Sequence, residues 1–131
     1  MAKLIWKDSF DTGIAEIDRQ HRQFLDYLNQ CTEFSLSQAR EKLIPELIGK
    51  MKEYALMHFE FEEALMKSVG YAGYDQHEGQ HAYFNARLAE LEEAITGGVN
   101  EKAVSLAAFM RGWLINHILE EDKRYTPLFV K

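Results

Sequence analysis

The chain has 131 residues, a length typical of one domain with a sizeable core, and its hydrophobic content of 47% argues against disorder. Its formal net charge of −6 makes nucleic acids and anionic membranes poor partners. Cys31 is the only cysteine, and no stretch is apolar for long enough to predict a signal peptide or a membrane span, so we expect a monomeric cytoplasmic protein without disulfides.

An irregular arm over residues 1–16 is predicted to precede the first helix. Gly13 interrupts any helix within this arm. We expect Asp18 to be the N-cap or an acidic residue of the first turn, and the helix to continue to about Leu36. The apolar face of this helix recurs every third or fourth residue and includes a histidine. Its members are Ile17, His21, Phe24, Leu28 and Cys31.

The second helix is predicted to begin soon after the break at residues 35–37. Pro45 lies either in its first turn or at a kink inside it, and we favour the kink. The helix ends near Val69, with Gly70 as the C-terminal cap. Its buried face contains a histidine and a carboxylate one turn apart. The face consists of Leu47, Met51, Tyr54, His58, either Phe61 or Glu62, Leu65 and Val69.

The third helix follows a turn over residues 70–74. Asp75 can cap its start, the helix runs to about Ile95, and the pair Gly97-Gly98 ends it. Two histidines lie on its inward face, separated by one helical turn. This face consists of Tyr74, His77, His81, Phe84, Leu88, Leu91 and Ile95.

The fourth helix is predicted to start at the cap Asn100, to fade around Lys123 and to be closed by Pro127. Its inward face consists of Ala103, Leu106, Met110, Trp113 or Leu114, and His117. We find no strand pattern and no linker. We therefore predict an all-α protein, an antiparallel up-down-up-down four-helix bundle with an irregular N-terminal arm, as a single domain over residues 1–131.

All five histidines of the chain fall on the inward faces of these helices, and all four helices contribute. A single core histidine is usually structural, but five buried imidazoles and no surface histidine are costly unless they share a partner. A shared metal satisfies them together. The histidines are His21, His58, His77, His81 and His117.

Carboxylates lie close to the histidines along the chain. Glu62 follows His58 by four residues, which places the two side chains on one face of a helix. His117 is followed by both Glu121 and Asp122. The spacing of four favours Glu121, whereas Asp122 lies further round an α-helix but is short enough to reach a neighbouring metal. The spacing alone leaves this choice open.

The number of candidate ligands indicates two metal ions. Five imidazoles and two carboxylates exceed what a zinc site needs, because such sites usually close at four ligands. Two octahedral irons offer about twelve positions. The histidines, two bridging carboxylates and a bridging oxide or hydroxide fill all of these except one, which stays open for a small ligand.

The chain resembles the hemerythrin family, most closely its single-domain bacterial form, bacteriohemerythrin. The resemblance extends from Trp6 to Pro127 and is specific, since seven ligand positions occur at the expected spacings. The matching segments are residues 17–21, 58–63, 77–81 and 117–122.

This resemblance implies which residues bind each iron. One iron would be held by His77, His81 and His117, and the other by His21 and His58, with its sixth position open. Glu62 and Asp122 would bridge the pair, together with an oxo or hydroxo group, so the resemblance selects Asp122 over Glu121. Phe24, Phe59, Trp113 and Leu114 would line an oxygen pocket, although each is also an ordinary core residue.

The resemblance further implies reversible binding of dioxygen, as peroxide at the open iron position. We expect the protein to be a carrier or reservoir of oxygen rather than an enzyme. We also expect this carrier to make transient contact with an oxygen-consuming enzyme. The main alternative is a di-iron sensor of oxygen, redox state or nitric oxide, or an iron store.

Two further alternatives concern the chemistry of the site. The segment from His77 to His81 matches the H-E-x-x-H motif of zinc peptidases, but that reading leaves three histidines unexplained. A ferritin-like di-iron oxidase needs two E-x-x-H motifs and more carboxylates, and only Glu78 with His81 fits.

Overall fold

The computed structural model describes residues 4–98 and 102–129. Three long helices come first, and we call them α1, Ala15–Ser35; α2, Arg40–Ser68; and α3, Tyr74–Thr96. The fourth helix is composite. It consists of α4, Lys102–Trp113; a π-helical segment, Leu114–Glu121; and a short α5, Asp122–Tyr125. Single 3₁₀ turns occur at Asp8–Phe10 and Thr126–Leu128.

The helices form the predicted four-helix bundle. Consecutive helices pack against each other, and α4 closes the bundle against α1. The described residues contain helices and turns but no strand. In the described part of the chain, no helix combines the length and the apolarity that crossing a membrane requires.

The polar residues of the core are concentrated at one end of the bundle. The histidines lie near the starts of α1 and α3, and near the ends of α2 and of the fourth helix. In an antiparallel bundle these four positions meet at the same end. Large apolar side chains fill the other end, among them Leu28, Ile48, Leu91 and Leu106.

The start of α1 is joined to the N-terminal arm by Asp18. The helix begins at Ala15, so Asp18 is a first-turn acid, one of the two roles predicted for it. Its carboxylate accepts hydrogen bonds from the backbone N–H and the hydroxyl of Thr12, both at 2.7 Å, and from the N–H of Gly13. The arm is thereby fixed beside the helix that carries His21.

The end of α2 agrees with the prediction, whereas the start of α3 does not. Gly70 ends α2 with a φ of 62°, and the N–H of Tyr71 donates to the carbonyl of Met66, which is the bonding of a glycine C-cap. The prediction that Asp75 caps α3 is wrong. The helix already begins at Tyr74, so Asp75 lies within the first turn. Its negative charge there still stabilises the helix, because the N-terminal end of a helix is electrically positive.

Pro45 lies inside α2, in its second turn, where it removes one backbone donor. The buried face of α2 also departs from the prediction near its end. Met66 is buried there, whereas Leu65 is half-buried and Val69 is exposed. Of the two alternatives in the middle of the helix, Glu62 is the buried one.

In the fourth helix, Trp113 and Leu114 are both buried. The predicted cap Asn100 and the side chain of Ala103 lie outside the described part of the chain.

Candidate metal centre

Seven side chains able to bind a metal converge at the polar end of the bundle. All of them are almost completely buried, and the two carboxylates have a relative exposure of 0%. They form two overlapping groups, and within each group one nitrogen or oxygen per residue lies within 4.8 Å of all the others. Glu62 and Asp122 belong to both groups. The first group adds His77, His81 and His117, and the second adds His21 and His58.

Asp122 lies among three imidazole rings. Its Oδ1 is 2.9 Å from Nε2 of His77 and 3.2 Å from Nε2 of His117. Its Oδ2 is 2.9 Å from Nε2 of His21. One carboxylate therefore reaches rings of both groups, with a different oxygen directed at each, which is the arrangement that a bridging ligand needs.

Glu62 has a similar position on the other side of the cluster. Its Oε1 is 2.7 Å from Nε2 of His58 and 3.5 Å from Nε2 of His81, so it too faces one ring of each group. Its Oε2 accepts a hydrogen bond of 2.6 Å from the hydroxyl of Tyr125, which is fully buried. This bond fixes the orientation of the carboxylate.

Many of the converging atoms have no hydrogen-bond partner among the described residues. Ring nitrogens and carboxylate oxygens approach one another closely, but their directions do not suit hydrogen bonds. Buried polar atoms without partners are costly, so the inward-facing atoms of this set fit cations that would accept their lone pairs. The inward-facing atoms are Nε2 of His21, His77, His81 and His117, Oε1 of Glu62, and both carboxylate oxygens of Asp122; Nδ1 of His21 and His77 also has no partner.

The electrostatics of the cluster also suit a cation. Burial raises the pKa of Glu62, as does the negative charge of Asp122, but contacts with His58 and His81 lower it to about 2 overall. Burial likewise raises the pKa of Asp122, yet the surrounding imidazoles, His117 foremost, bring it well below its ordinary value. Burial lowers the pKa of His117, which favours the neutral imidazole that binds metals.

The outward-facing nitrogens of three rings have partners that fix the ring orientation. Nδ1 of His58 lies 2.5 Å from Oε1 of Gln20, and Nδ1 of His117 lies 2.7 Å from Oε1 of Gln80. Nδ1 of His81 lies 2.9 Å from a carboxylate oxygen of Glu63. Metal-binding histidines commonly donate their second N–H in this way, which leaves Nε2 free for the metal.

Aromatic side chains hold the same three rings from the side. Phe59 stacks on His81 with ring centroids 3.9 Å apart, and Trp113 stacks on His117 at the same separation. Tyr54 stacks on His58 at 5.2 Å, and its hydroxyl donates to the backbone carbonyl of Gln20. The imidazoles are thus positioned by packing as well as by hydrogen bonds.

The π-helical segment explains why Asp122 belongs to the cluster and Glu121 does not. The N–H of Asp122 donates to the carbonyl of His117, five residues earlier, so the turns here are wider than in an α-helix and residues five apart share a face. The side chain of Glu121 is 20% exposed and lies 3.5 Å from Arg124. The preference for Glu121 that follows from α-helical spacing is therefore wrong.

The H-E-x-x-H segment has the wrong geometry for a peptidase. Glu78 is exposed, unlike His77 and His81, and its carboxylate accepts a hydrogen bond from the hydroxyl of Tyr74. A general base must lie beside the metal that activates its water. Glu78 does not meet that requirement.

The predicted pocket residues are all buried, and two of them contact candidate ligands. Phe59 and Trp113 lie against the two histidines on which they stack, and the ring centroid of Phe24 is 6.1 Å from that of Tyr54. Leu114 is the first residue of the π-helical segment and is part of the same apolar core. Their contact with a small ligand stays a prediction.

Four residues of the site were not predicted from the sequence: Gln20, Glu63, Gln80 and Tyr125. Three of them directly precede or follow a candidate ligand in the chain, which is a weak signal. Each of the four bonds to a residue on a different helix. Spacing along a single helix therefore could not reveal these pairs.

The comparisons with known proteins agree with this geometry. The model of the hemerythrin HHE cation binding domain matches residues 12–129. A bacteriohemerythrin of Stenotrophomonas maltophilia is 34% identical over 125 residues, which are 95% of this chain and 80% of that protein. A bacteriohemerythrin of Methylococcus capsulatus is 30% identical over 128 residues, or 97% of each protein. The chain belongs to the hemerythrin family.

Solved structures of hemerythrins have the same fold. The crystal structure of a wild-type hemerythrin superimposes with a TM-score of 0.83 at 29% identity and covers 96% of this chain and 97% of that one. A variant with a leucine replaced by tyrosine gives a TM-score of 0.84 and covers 97% of both chains.

Proposed function

We propose that this protein binds dioxygen reversibly at a non-haem di-iron centre and serves as a carrier or reservoir. Hemerythrins are oxygen-binding proteins rather than enzymes. The observation that carries the proposal is the pair of overlapping ligand groups, which share two buried carboxylates of lowered pKa and leave many ligand atoms without other partners among the residues that the structure describes. Two iron ions would supply the electrons and the open coordination position that reversible oxygen binding needs.

In this proposal the two groups have different ligand numbers. His77, His81 and His117 would hold one iron, His21 and His58 would hold the other, and Glu62 and Asp122 would be shared by both, together with an oxo or hydroxo group. The side with two histidines would then have the open position. The geometry supports the division, since Asp122 and Glu62 each direct an oxygen to both groups.

The composition of the ligand set favours binding of oxygen over its cleavage. The cluster has five imidazoles, which would bind metal in their neutral form, and two carboxylates, whereas ferritin-like di-iron oxidases use more carboxylates. Fewer anionic ligands stabilise high-valent iron less well, so release of intact oxygen competes better with breaking its bond.

The apolar surroundings complete the binding site. Phe24, Phe59, Trp113 and Leu114 are all less than a tenth exposed. We propose that they form the oxygen pocket and exclude water and anions, which would displace the bound ligand in a reduced form. By the resemblance to hemerythrins, we assign Leu114, the buried first residue of the π-helical segment, to the open position.

A test of the proposal compares the stability of the oxygenated state in wild-type protein and in Leu114→Ala. The substitution should leave two irons bound but open a cavity at the metal, which water can enter because one wall is polar. We expect the oxygenated spectrum to decay to the ferric form at least severalfold faster in the variant, at matched pH and oxygen concentration.

Leu106→Ala is the matched control, because Leu106 is equally buried on α4 but lies towards the apolar end of the bundle. Both variants should lose roughly 2–5 kcal/mol of stability, while only Leu114→Ala should decay faster. Equal decay in the two variants would show that Leu114 is ordinary core. A wild-type protein with no oxygenated spectrum at all would contradict the function itself.

A further inference from the structure

The outward-facing nitrogens of the five candidate histidines differ in their partners. His58 and His117 face neutral amide oxygens, those of Gln20 and Gln80. His81 alone, within the described residues, faces a carboxylate, at 2.9 Å from Oε2 of Glu63. Nδ1 of the remaining two histidines is buried without a partner among the described residues. Glu63 thus places a negative charge beside His81, one of the three histidines in the first ligand group.

The direction of the hydrogen bond follows from the position of the ring. Nε2 of His81 points to Glu62, on the metal side of the cluster, so a metal-bound His81 has its proton on Nδ1. The Nδ1–H therefore donates to Glu63. A hydrogen bond to an ionised acceptor is about twice as strong as one to a neutral acceptor, and it draws the proton away from the ring. The ring becomes a more electron-donating ligand.

The environment of Glu63 preserves this effect. Its side chain is only 25% exposed, so solvent and salt screen its charge less than that of a surface carboxylate. The ring of His81 is held by the stacked ring of Phe59, at an interplanar angle of 8°. Because packing already fixes the ring, the charge of Glu63 acts mainly on its electronic character and less on its position.

We infer that Glu63 lowers the reduction potential of the iron bound by His77, His81 and His117, and so adds an electronic difference to the difference in ligand number between the two irons. The inference rests on the proposed function. Loss of one electron converts Fe(II) to Fe(III) and adds a positive charge, which a more electron-donating His81 and a nearby anion stabilise. Glu63 would therefore make the iron on the three-histidine side easier to oxidise, with dioxygen or the mediators of the titration as the electron acceptor.

The test is an anaerobic potentiometric titration of iron-loaded protein with redox mediators, in which the ferric fraction is followed by its optical spectrum. Glu63→Gln keeps the hydrogen-bond acceptor and removes the charge. At the wild-type midpoint potential, we expect the ratio of ferric to ferrous iron on the three-histidine side to fall about tenfold, which for one electron is about 59 mV.

Glu60→Gln is the control for net charge, since Glu60 is exposed on the same helix three residues earlier. It should change the ratio less than twofold. Equal shifts in the two variants would overturn the inference, because they would show that only the overall charge matters. An unchanged ratio of ferric to ferrous iron in Glu63→Gln protein that binds two irons would overturn the inference as well.

Gln80→Glu provides a second, independent variant. It places a carboxylate beside His117, another histidine of the same group, and should shift the potential in the opposite direction. In the double variant with Glu63→Gln it should restore a potential close to that of wild type. If Glu63→Gln does not load iron, the single Gln80→Glu variant decides, and an unshifted potential there would contradict the inference.

A readout without redox chemistry is the ¹⁵N NMR spectrum of the imidazole rings in zinc-loaded protein. We expect the Nδ1–H resonance of His81 to show the strongest hydrogen bond of the five rings and to lose this character in Glu63→Gln. An unchanged resonance would overturn the inference. Wild-type protein that cannot bind two irons would overturn the proposed function together with it, whereas intact wild-type loading with unshifted variants overturns the inference alone.

Discussion

Asp122→Ala will leave the protein unable to hold two irons, whereas Glu121→Ala will retain both. Asp122 is fully buried, and its two oxygens reach histidines of both groups, so its loss removes a ligand from each metal and a charge that offsets them. Metal analysis after anaerobic loading with ferrous iron should find at most one iron per chain in Asp122→Ala.

Glu121 supplies a matched control because it is the neighbouring carboxylate on the same segment and is partly exposed beside Arg124. The two substitutions remove the same charge from the chain, so a difference in iron content reports on position alone. Full iron content in Asp122→Ala together with loss of iron in Glu121→Ala would contradict the π-helical segment. It would mean that the segment is an ordinary α-helix in which Glu121, and not Asp122, faces the metals.

The prediction about Asp122 also marks the limit of what the sequence could reveal. Periodicity of 3.6 residues was enough to predict four helices and the inward position of His21, His58, His77, His81 and His117. The same rule did not identify the carboxylate that follows His117, because it assumes a regular α-helix and the backbone there adopts i+5 bonding. The resemblance to the hemerythrins selected Asp122, and spacing did not.

The side-chain contacts between helices also could not be predicted from the periodicity of each helix alone. Tyr125 follows Asp122 by three residues, yet its hydroxyl bonds to Glu62 on α2. Gln80 is next to His81 in the chain but faces His117 on the fourth helix. Such pairs depend on how neighbouring helices are rotated and aligned, and local sequence patterns do not determine that relation.

Removal of the metal should lower the thermal stability of the protein by a large amount. Without ions, buried nitrogen and oxygen atoms at the end of the bundle have no hydrogen-bond partners within the described part of the chain. Ions that bind only the native state add roughly 4 kcal/mol at a thousandfold excess over the dissociation constant. For a domain of this size we expect the apo protein to melt roughly 8 °C or more below the iron form.

The measurement is a pair of thermal melts by circular dichroism, with iron and after chelation under anaerobic conditions. Asp122→Ala serves as the control, since chelation should change its melting temperature much less. Equal melting temperatures for wild-type protein with and without iron would contradict this expectation. They would mean that the imidazoles and carboxylates, which approach within 2.7 to 2.9 Å, satisfy one another without a metal.

The most direct test of the central claim is an optical titration of protein whose metal content has been counted. Protein loaded anaerobically with ferrous iron should contain two irons per chain. On exposure to air it should develop a new visible absorption, which should disappear under argon and return over repeated cycles. A single zinc per chain that iron cannot replace, or an absorption that forms once and never reverses, would contradict reversible oxygen binding at a di-iron centre.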